Sequence, residues 1–193
     1  MMEKATVQLG TSPSAQLRAS PGVNVIGYLR DETGVGEVAR AYLRTLHTHG
    51  YPVACTLVHS DKARKQDDSV AHLPTGNPHG INFFHVNADQ LPTVYDELGP
   101  SFFAGKYNIG YWAWEVSPFP HAWLDRFQYL DEIWVGSNFV QNILAPVAPI
   151  PVVRMGVPME RDPAGGATRA TLGLPEGKFL FLLNPEAQRR MDA

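Results

Sequence analysis

The most constraining feature of this sequence is the alternation of short apolar runs with stretches of helical periodicity. The apolar runs lie at residues 23–29, 53–58, 82–86, 107–112, 132–135 and 152–155. Such runs are typical of strands that are buried on both faces of a sheet. Helical stretches lie between several of them, at residues 38–46, 90–98, 122–130 and 139–144, the last capped by Ser137 or Asn138. This alternation predicts an α/β fold with a doubly wound parallel sheet, Rossmann-like in architecture.

The domain organisation follows from shifts in composition along the chain. Residues 1–21 contain few large apolar groups and predict a flexible tail, and residues 22–158 contain the Rossmann-like domain. Within that domain, the polar stretch 60–80 predicts a long exposed loop between the second and third strands. Residues 159–171 hold Pro163, Gly165 and Gly166 and predict a linker. Residues 172–193 include a further apolar run at 179–183 and are expected to be the truncated start of a second domain.

Composition and charge exclude several classes of protein. No apolar run approaches the roughly 20 residues that a helix needs to cross a bilayer. Cys55 is the single cysteine and has no partner for an internal disulfide, and the first ten residues lack the apolar core of a signal peptide, so a cytoplasmic location is predicted. The net charge of -3 and the absence of a basic stripe argue against nucleic acid as a partner.

Common catalytic motifs are missing from the sequence. There is no Asp-x-Asp pair or other metal-ligand spacing, so no metal or other cofactor is predicted. There is also no Gly-x-Ser-x-Gly elbow, Walker loop or Cys/His zinc cluster. Hydrolase, NTPase and metalloenzyme functions are therefore disfavoured.

Candidate site residues follow the predicted strands, because ligands of open parallel sheets bind outside the carboxyl ends of the strands. Gly34 and Gly36 precede the first helix, where a backbone can approach an anionic group; the alternative is a tight strand-to-helix turn. His85 fits a hydrogen-bond donor to a substrate hydroxyl or a general base; the alternative is a satisfied core histidine. The alternation of residues in its strand does not settle which face His85 takes.

Two further groups of polar residues have competing interpretations. Glu115 follows a Tyr-Trp-Ala-Trp run, and a carboxylate beside aromatic rings is a common way to hold a sugar; the alternative is a capping or loop acid beside core tryptophans. Lys62, Arg64 and Lys65 fit contact with an anionic lipid or a phosphorylated acceptor. The acidic residues among them favour a solvated loop instead, and these are Asp61, Asp67 and Asp68.

Four ordered segments resemble the N-terminal half of bacterial group 1 (family four) glycosyltransferases. The segments are VIGYLRDETGVGEVAR at 25–40, HVNADQ at 85–90, YNIGYWAWE at 107–115 and DEIWVGSNFV at 131–140. The resemblance covers about residues 23–158 and implies a GT-B architecture, in which two Rossmann-like domains face a cleft. The C-terminal domain of such enzymes holds most of the nucleotide sugar and the N-terminal domain most of the acceptor. They transfer the sugar with retention of configuration and without a metal.

The resemblance also implies roles for particular residues. Gly34 and Gly36 would form the glycine-rich loop near the donor phosphates, and Ser137 would lie at the interdomain edge. The acceptor side of the cleft would be lined by His85, Asn87, Trp112 and Glu115. The partners would be a nucleotide-sugar donor and a glycan or lipid-linked acceptor, with peripheral membrane contact left open. Because the family's donor-binding groups belong to the second domain, the chain is expected not to transfer sugar by itself, and its catalytic residues stay unassigned.

Two other functions remain open. An NAD(P)-binding oxidoreductase or epimerase is suggested by residues 34–39, GVGEVA, which match the Gly-x-Gly-x-x-Ala spacing. Against it, a stretch that includes Asp31 and Glu32 separates the first strand from Gly34, and no acid directly ends the second strand. The third interpretation is a non-catalytic remnant or binding module.

Overall fold

The computed structural model describes residues 21–59, 64–159 and 166–181 of the chain. The chain divides into two compact units, Met1–Glu160 and Arg161–Ala193. Apart from Pro21, the predicted tail lies outside the described residues. In the parts of the chain that are described, no helix has the length and apolar character that are needed to cross a membrane.

The first unit is built on a six-stranded, all-parallel sheet. Its strands are β1 (Val23–Gly27), β2 (Val53–Leu57), β3 (Ile81–His85), β4 (Tyr107–Tyr111), β5 (Glu132–Val135) and β6 (Val152–Arg154). Their order across the sheet is β2-β1-β3-β4-β5-β6. Each strand coincides with one of the apolar runs, so the predicted α/β fold with a doubly wound, Rossmann-like sheet is confirmed.

The helices connect successive strands. They are α1 (Gly34–Thr48), α2 (Leu91–Leu98), α3 (Pro100–Phe103), a 3₁₀ helix (His121–Tyr129) and α4 (Asn138–Leu144). After α1 the chain turns at Gly50, whose φ of 76° lies in the left-handed region that favours glycine. Residues 122–130 were predicted as helical, and the structure shows the tighter 3₁₀ form there. Apolar residues at spacings of three and four do not distinguish the two forms over so short a stretch.

Helices cover both faces of the sheet because successive strand residues point to opposite sides. On one face, Val25 and Phe83 are buried together with Tyr42 and Leu43 of α1. On the other face, Ile26 and Phe84 belong to a core that also contains residues of α2, α3, the 3₁₀ helix and α4. These two cores are called the α1-side core and the α2-side core below.

The connection between β2 and β3 is less exposed than predicted. Val70 and Leu73 are only 4% and 5% exposed and pack in the α1-side core, where they cover sheet surface that no helix of this connection covers. The N–H of Cys55 donates to the carbonyl of Pro74 (2.8 Å), and the N–H of Gly76 donates to the carbonyl of Cys55 (3.0 Å). Residues 74–76 therefore pair in parallel with the outer edge of β2. The prediction of an exposed loop was wrong for this part, and residues 60–63 lie outside the described chain.

Three asparagines form a buried ladder across the sheet on the α2 side. Asn24, Asn82 and Asn108 are paired in register on β1, β3 and β4. The Nδ2 group of Asn24 donates to Oδ1 of Asn82 (2.9 Å), and Nδ2 of Asn82 donates to Oδ1 of Asn108 (2.9 Å). Asn82 also donates to the carbonyl of Phe102 (3.0 Å) in α3. This asparagine ladder therefore ties three strands and α3 together near the amino ends of the strands.

The second unit is described only over residues 166–181. Within that stretch there is no strand, and Phe179 and Phe181 are 83% and 92% exposed. The prediction of a buried strand at 179–183 was therefore wrong for residues 179–181, and the last two residues of that range are not described. The expectation came from apolar character alone, whereas a strand also needs a partner for its backbone groups. The assignment of this unit to a second domain stays a prediction.

Candidate functional site

The topology defines where a ligand would bind. The chain passes from β1 to β2 in one direction across the sheet, then returns past β1 to form β3. In open α/β sheets the ligand crevice lies at such a reversal point, outside the carboxyl ends of the strands. The carboxyl edge near β1, β3, β4 and β5 is called the crevice edge below. All the predicted site residues lie at or shortly after these strand ends, namely Gly34, Gly36, His85, Asn87, Trp112, Glu115 and Ser137.

The loop between β1 and α1 begins the crevice edge. Thr33 caps α1, because its Oγ1 accepts a hydrogen bond from the N–H of Gly36 (3.1 Å). Gly34 is exposed, and a Cβ atom at this position would meet nothing within 4 Å. The first N–H groups of a helix have no partner inside the helix, and the helix dipole favours negative charge there. Gly34 therefore lies in an open position that suits an anionic ligand.

Gly36 has a structural role in the packing of the loop against α1. A Cβ atom at Gly36 would lie 2.5 Å from the carbonyl oxygen of Asp31 and 2.7 Å from that of Tyr28. The loop folds back so closely onto the first turn of α1 that only glycine fits. The glycine pair was predicted either to form a tight strand-to-helix turn or to approach an anionic group. The contacts of Gly36 agree with the tight turn, and the open position of Gly34 is compatible with an anionic ligand.

The two glycines give a matched pair of substitutions. We expect Gly36→Ala to lower the free energy of unfolding by about 1–3 kcal/mol, the usual cost of overpacking. Gly34→Ala is expected to change it by less than about 0.5 kcal/mol, as is usual for exposed positions. Urea unfolding of both variants measures the difference. Equal effects of the two substitutions would contradict the close contact between the loop and α1.

His85 ends β3, and its side chain lies among aromatic residues of the α1-side core. It is 1% exposed, and its ring stacks on Tyr111 (centroids 4.6 Å apart) and meets the ring of Phe83 edge-on (4.7 Å). Within the described ranges, neither ring nitrogen has a hydrogen-bond partner. Burial lowers the pKa of His85 to about 3, so that the ring is neutral near pH 7. His85 is thus a core histidine whose hydrogen bonds are unmet, and its ring is shielded from the surface of the crevice edge.

Asn87 joins two strand ends of the crevice edge. Its Oδ1 accepts from the N–H of Ala113 (2.9 Å), just beyond β4. Its carbonyl accepts from the N–H groups of Gln90 and Leu91 (both 3.1 Å), at the start of α2. The half-buried Asn87 therefore fixes the spacing between the ends of β3 and β4.

The two tryptophans after β4 differ in burial, and Trp112, which was predicted to line the cleft, is the buried one. Trp112 is 2% exposed and stacks on Phe119 in the α2-side core, so it is buried below the surface. Trp114 is half-buried and packs edge-on against Trp123, with ring centroids 5.1 Å apart. Glu115 is exposed next to it. The aromatic ring that accompanies Glu115 near the surface is therefore that of Trp114, because this tryptophan is partly exposed and directly precedes Glu115 in the chain.

Ser137 has a clear local role. Its Oγ accepts a hydrogen bond from the N–H of Val140 (3.3 Å) and caps α4, which decides between Ser137 and Asn138 as the capping residue. Ser137 is exposed at the end of β5. Its role at an interdomain edge stays a prediction.

Arg40 is a further residue of this edge that was not among the predicted site residues. This arginine lies in α1, is 3% exposed, and donates to the carbonyls of Leu29 (3.1 Å) and Asp31 (2.8 Å) in the β1–α1 loop. It also pairs with Glu37 (3.0 Å) and Asp67 (3.1 Å). The spacing of Glu37 and Arg40 on one helix was visible in the sequence. The folding back of the loop carbonyls onto Arg40 was not.

The basic residues of the β2–β3 connection lie beside this loop. Nε of Arg64 is 3.6 Å from Oε2 of Glu32, and the side chain of Arg64 is 70% exposed. Arg30 pairs with Asp68 (2.8 Å), again among exposed side chains. These contacts agree with the solvated-loop interpretation of Arg64, and Lys62 lies outside the described residues.

Two further features bear on ligand binding. Among the described residues, no group of three or more His, Cys, Asp or Glu side chains could hold a metal ion. A cleft of about 280 Å³ lies between α1 and the segment after β6. Its lining consists of Glu37, Val38, Ala41, Arg44, Val157, Pro158 and Met159.

Comparisons with known proteins add no assignment to this geometry. No model of a known protein family matches the chain, and no curated protein matches it at a significant level. The fold and the site together define the class of the protein: an α/β protein with a Rossmann-like, doubly wound sheet and a crevice edge at the strand reversal.

Proposed function

We propose that this chain is the acceptor-side domain of a GT-B glycosyltransferase. The observation that carries the proposal is the convergence of the four resembling segments. Residues 25–40 form β1, its loop and the start of α1, and residues 85–90, 107–115 and 131–140 contain the carboxyl ends of β3, β4 and β5. Stretches that lie far apart in the sequence thus meet at the edge where a ligand of this fold binds.

The chemistry of the crevice edge supports a sugar-containing ligand. Gly34 leaves open space at the start of α1, which suits the phosphates of a nucleotide sugar. The exposed Glu115 next to the half-buried Trp114 offers a carboxylate for hydroxyl groups beside an aromatic surface. We assign the acceptor, a glycan or lipid-linked sugar, to this second region. No residue is assigned a catalytic role.

One observation favours the dinucleotide-binding alternative. If residues 74–76 count as a strand beside β2, the sheet order becomes that of the dinucleotide-binding fold. The contacts of Gly36 oppose it, because the carbonyls of Asp31 and Tyr28 occupy the space that would let a pyrophosphate approach this glycine. The proposed function therefore predicts that the chain does not bind NAD.

A binding experiment tests the proposal. We expect saturation-transfer NMR of the purified chain with a panel of oligosaccharides to show binding of at least one glycan. Glu115→Gln is expected to weaken that binding by about 10-fold or more, because hydrogen bonds to charged groups contribute about 1.5–3 kcal/mol. Glu176→Gln, at an exposed position of the second unit, is the matched control.

Two results would contradict the proposal. One is calorimetric binding of NAD by a chain that binds no glycan, which would favour the dinucleotide-binding alternative. The other is glycan binding that is equally strong in the wild type and in Glu115→Gln, which would place the acceptor elsewhere on the molecule.

A further inference from the structure

We propose that Arg40 is the positioning residue of the crevice edge, because it holds the loop after β1 in a single arrangement. The identity of the ligand in this inference rests on the proposed function, whereas the role of Arg40 in ordering the loop does not. The loop concerned, residues 28–33, connects β1 with α1 at the point where the strand order reverses.

The first support is the way in which the buried guanidinium is bound. One terminal nitrogen of Arg40 donates to two carbonyls of the loop, those of Leu29 (3.1 Å) and Asp31 (2.8 Å). Nε and Nη2 both donate to Oε2 of Glu37 (3.1 and 3.0 Å), and Nε also forms an ion pair with Oδ2 of Asp67 (3.1 Å). A buried charge persists only when it is paired and hydrogen-bonded, so these partners determine one geometry.

The second support is a strap of residues 64–69 that lies along the loop. The N–H of Glu32 donates to the carbonyl of Arg64 (2.9 Å), and the N–H of Asp67 donates to the carbonyl of Arg30 (3.2 Å). Arg40 contacts both segments: it forms an ion pair with Asp67 of the strap and donates hydrogen bonds to the carbonyls of the loop. The exposed Arg30–Asp68 pair also joins them, but exposed ion pairs contribute little. Arg40 is therefore the buried connection between helix, loop and strap.

The third support is the position of Arg40 under the first turn of α1. A Cβ atom at Gly36 would lie 3.1 Å from the terminal nitrogen of Arg40 that donates to the loop. The start of α1, the loop and the guanidinium are thus packed together, directly beside the open position at Gly34. A ligand-binding edge needs such support, because its groups must already be in place when the ligand arrives.

The test uses Arg40→Lys. Lysine keeps the charge but lacks the planar fork that reaches two carbonyls and two carboxylates together. The matched control is Arg44→Lys, since Arg44 bonds the same Glu37 (2.7 Å) from the next turn of α1. Amide hydrogen exchange measured by NMR reports on each N–H separately, and glycan affinity is measured on the same samples.

The expected result is local. In Arg40→Lys, the N–H groups of Asp31, Glu32 and Asp67 should exchange about 10-fold faster or more, because local opening needs less energy than global unfolding. The amides of β3 and β4 should keep their wild-type rates, and Arg44→Lys should leave all of these rates unchanged. Glycan affinity should stay at the wild-type value in both variants, because the glycan is assigned to the region of Glu115 and Trp114 and not to this loop.

Two outcomes would overturn the inference: unchanged exchange in the loop, or faster exchange spread evenly over the sheet, which would show a general stabilising role. If Arg40→Lys does not fold, Asp67→Asn is used, which removes the strap's charge at the same contact and should affect the same amides. If the wild type binds no glycan, the proposed function fails, and the exchange rates still decide the role of Arg40.

Discussion

The free energy of unfolding is expected to fall by about 2.5 kcal/mol between pH 7.5 and pH 4.5 because of His85 alone. Burial lowers the pKa of His85 to about 3 in the folded protein, whereas a histidine in an unfolded chain has a pKa of about 6.5. Between these values the unfolded chain binds a proton that the folded protein does not. The free energy of unfolding therefore rises with pH across this window. As the pH falls, it keeps decreasing until the pH reaches the folded pKa of His85.

Among the residues that the structure describes, the groups packed around His85 offer no charge that would offset this effect. The rings packed around it belong to Tyr42, Phe83 and Tyr111, and tyrosines stay neutral in this pH range. Burial raises the pKa of Tyr111 further. The window ends at pH 4.5 because most carboxyl groups titrate below it.

Urea unfolding of the wild type and His85→Phe over this pH range measures the effect. Phenylalanine cannot be protonated, so the variant should lose about 2.5 kcal/mol less than the wild type between the two pH values. Overpacking by the larger ring shifts its stability at every pH alike and leaves this difference intact. His121→Phe, at an exposed position, is the matched control. Parallel pH profiles of the wild type and His85→Phe would show that the ring is protonated in the folded protein.

The strands could be predicted from the sequence because each is a short, mainly apolar run of the kind that a doubly covered sheet buries. The β2–β3 connection could not, since its polar composition conceals Val70 and Leu73, which face the α1-side core. The apolar run at 179–183 was misleading in the opposite way, because its composition predicted more structure than its described part forms. Its composition suits a strand, but in the described part no strand forms.

The candidate site was predictable in its place but not in its details. Parallel strands put their carboxyl ends at one edge, which brought the chosen residues together. The side-chain directions required the structure: Trp112 points into a core, while Trp114 lies nearer the surface. Likewise, only the structure shows that His85 takes the α1 side, and that loop carbonyls fill the space beside Gly36.

The sequence contains a signal for the asparagine ladder. Asn24 and Asn108 occupy the second position of their predicted strands and Asn82 the first, each followed by apolar residues; in the structure each is the second residue of its strand. A polar side chain repeated at one position of neighbouring strands indicates a hydrogen-bonded row across the sheet. Which strands are neighbours depends on the topology, and the register came from the structure.

Among single substitutions in the asparagine ladder, Asn82→Leu is expected to be the most destabilising. It should lower the free energy of unfolding by about 4 kcal/mol. Asn82 is fully buried and lies in the middle of the ladder. Leucine would leave one N–H of Asn24 and the Oδ1 of Asn108 without the bonds that they now make to Asn82, each 2.9 Å long. Each buried group that loses its partner costs about 1–3 kcal/mol, which gives the expected sum.

A double substitution separates this cause from simple changes in packing. In Asn24→Leu with Asn82→Leu, the first unmet group is removed together with its partner, so the loss should be smaller than the sum of the two single losses by about 1 kcal/mol or more. Asn142→Leu, on the exposed side of α4, is the matched control and should change stability by less than about 0.5 kcal/mol. Urea unfolding measures all four variants at pH 7.5, where the titration of His85 contributes little. Strict additivity at the two ladder positions would mean that the asparagines act independently. The side-chain bond between Asn24 and Asn82 would then add nothing to the backbone pairing and the apolar cores that hold the sheet.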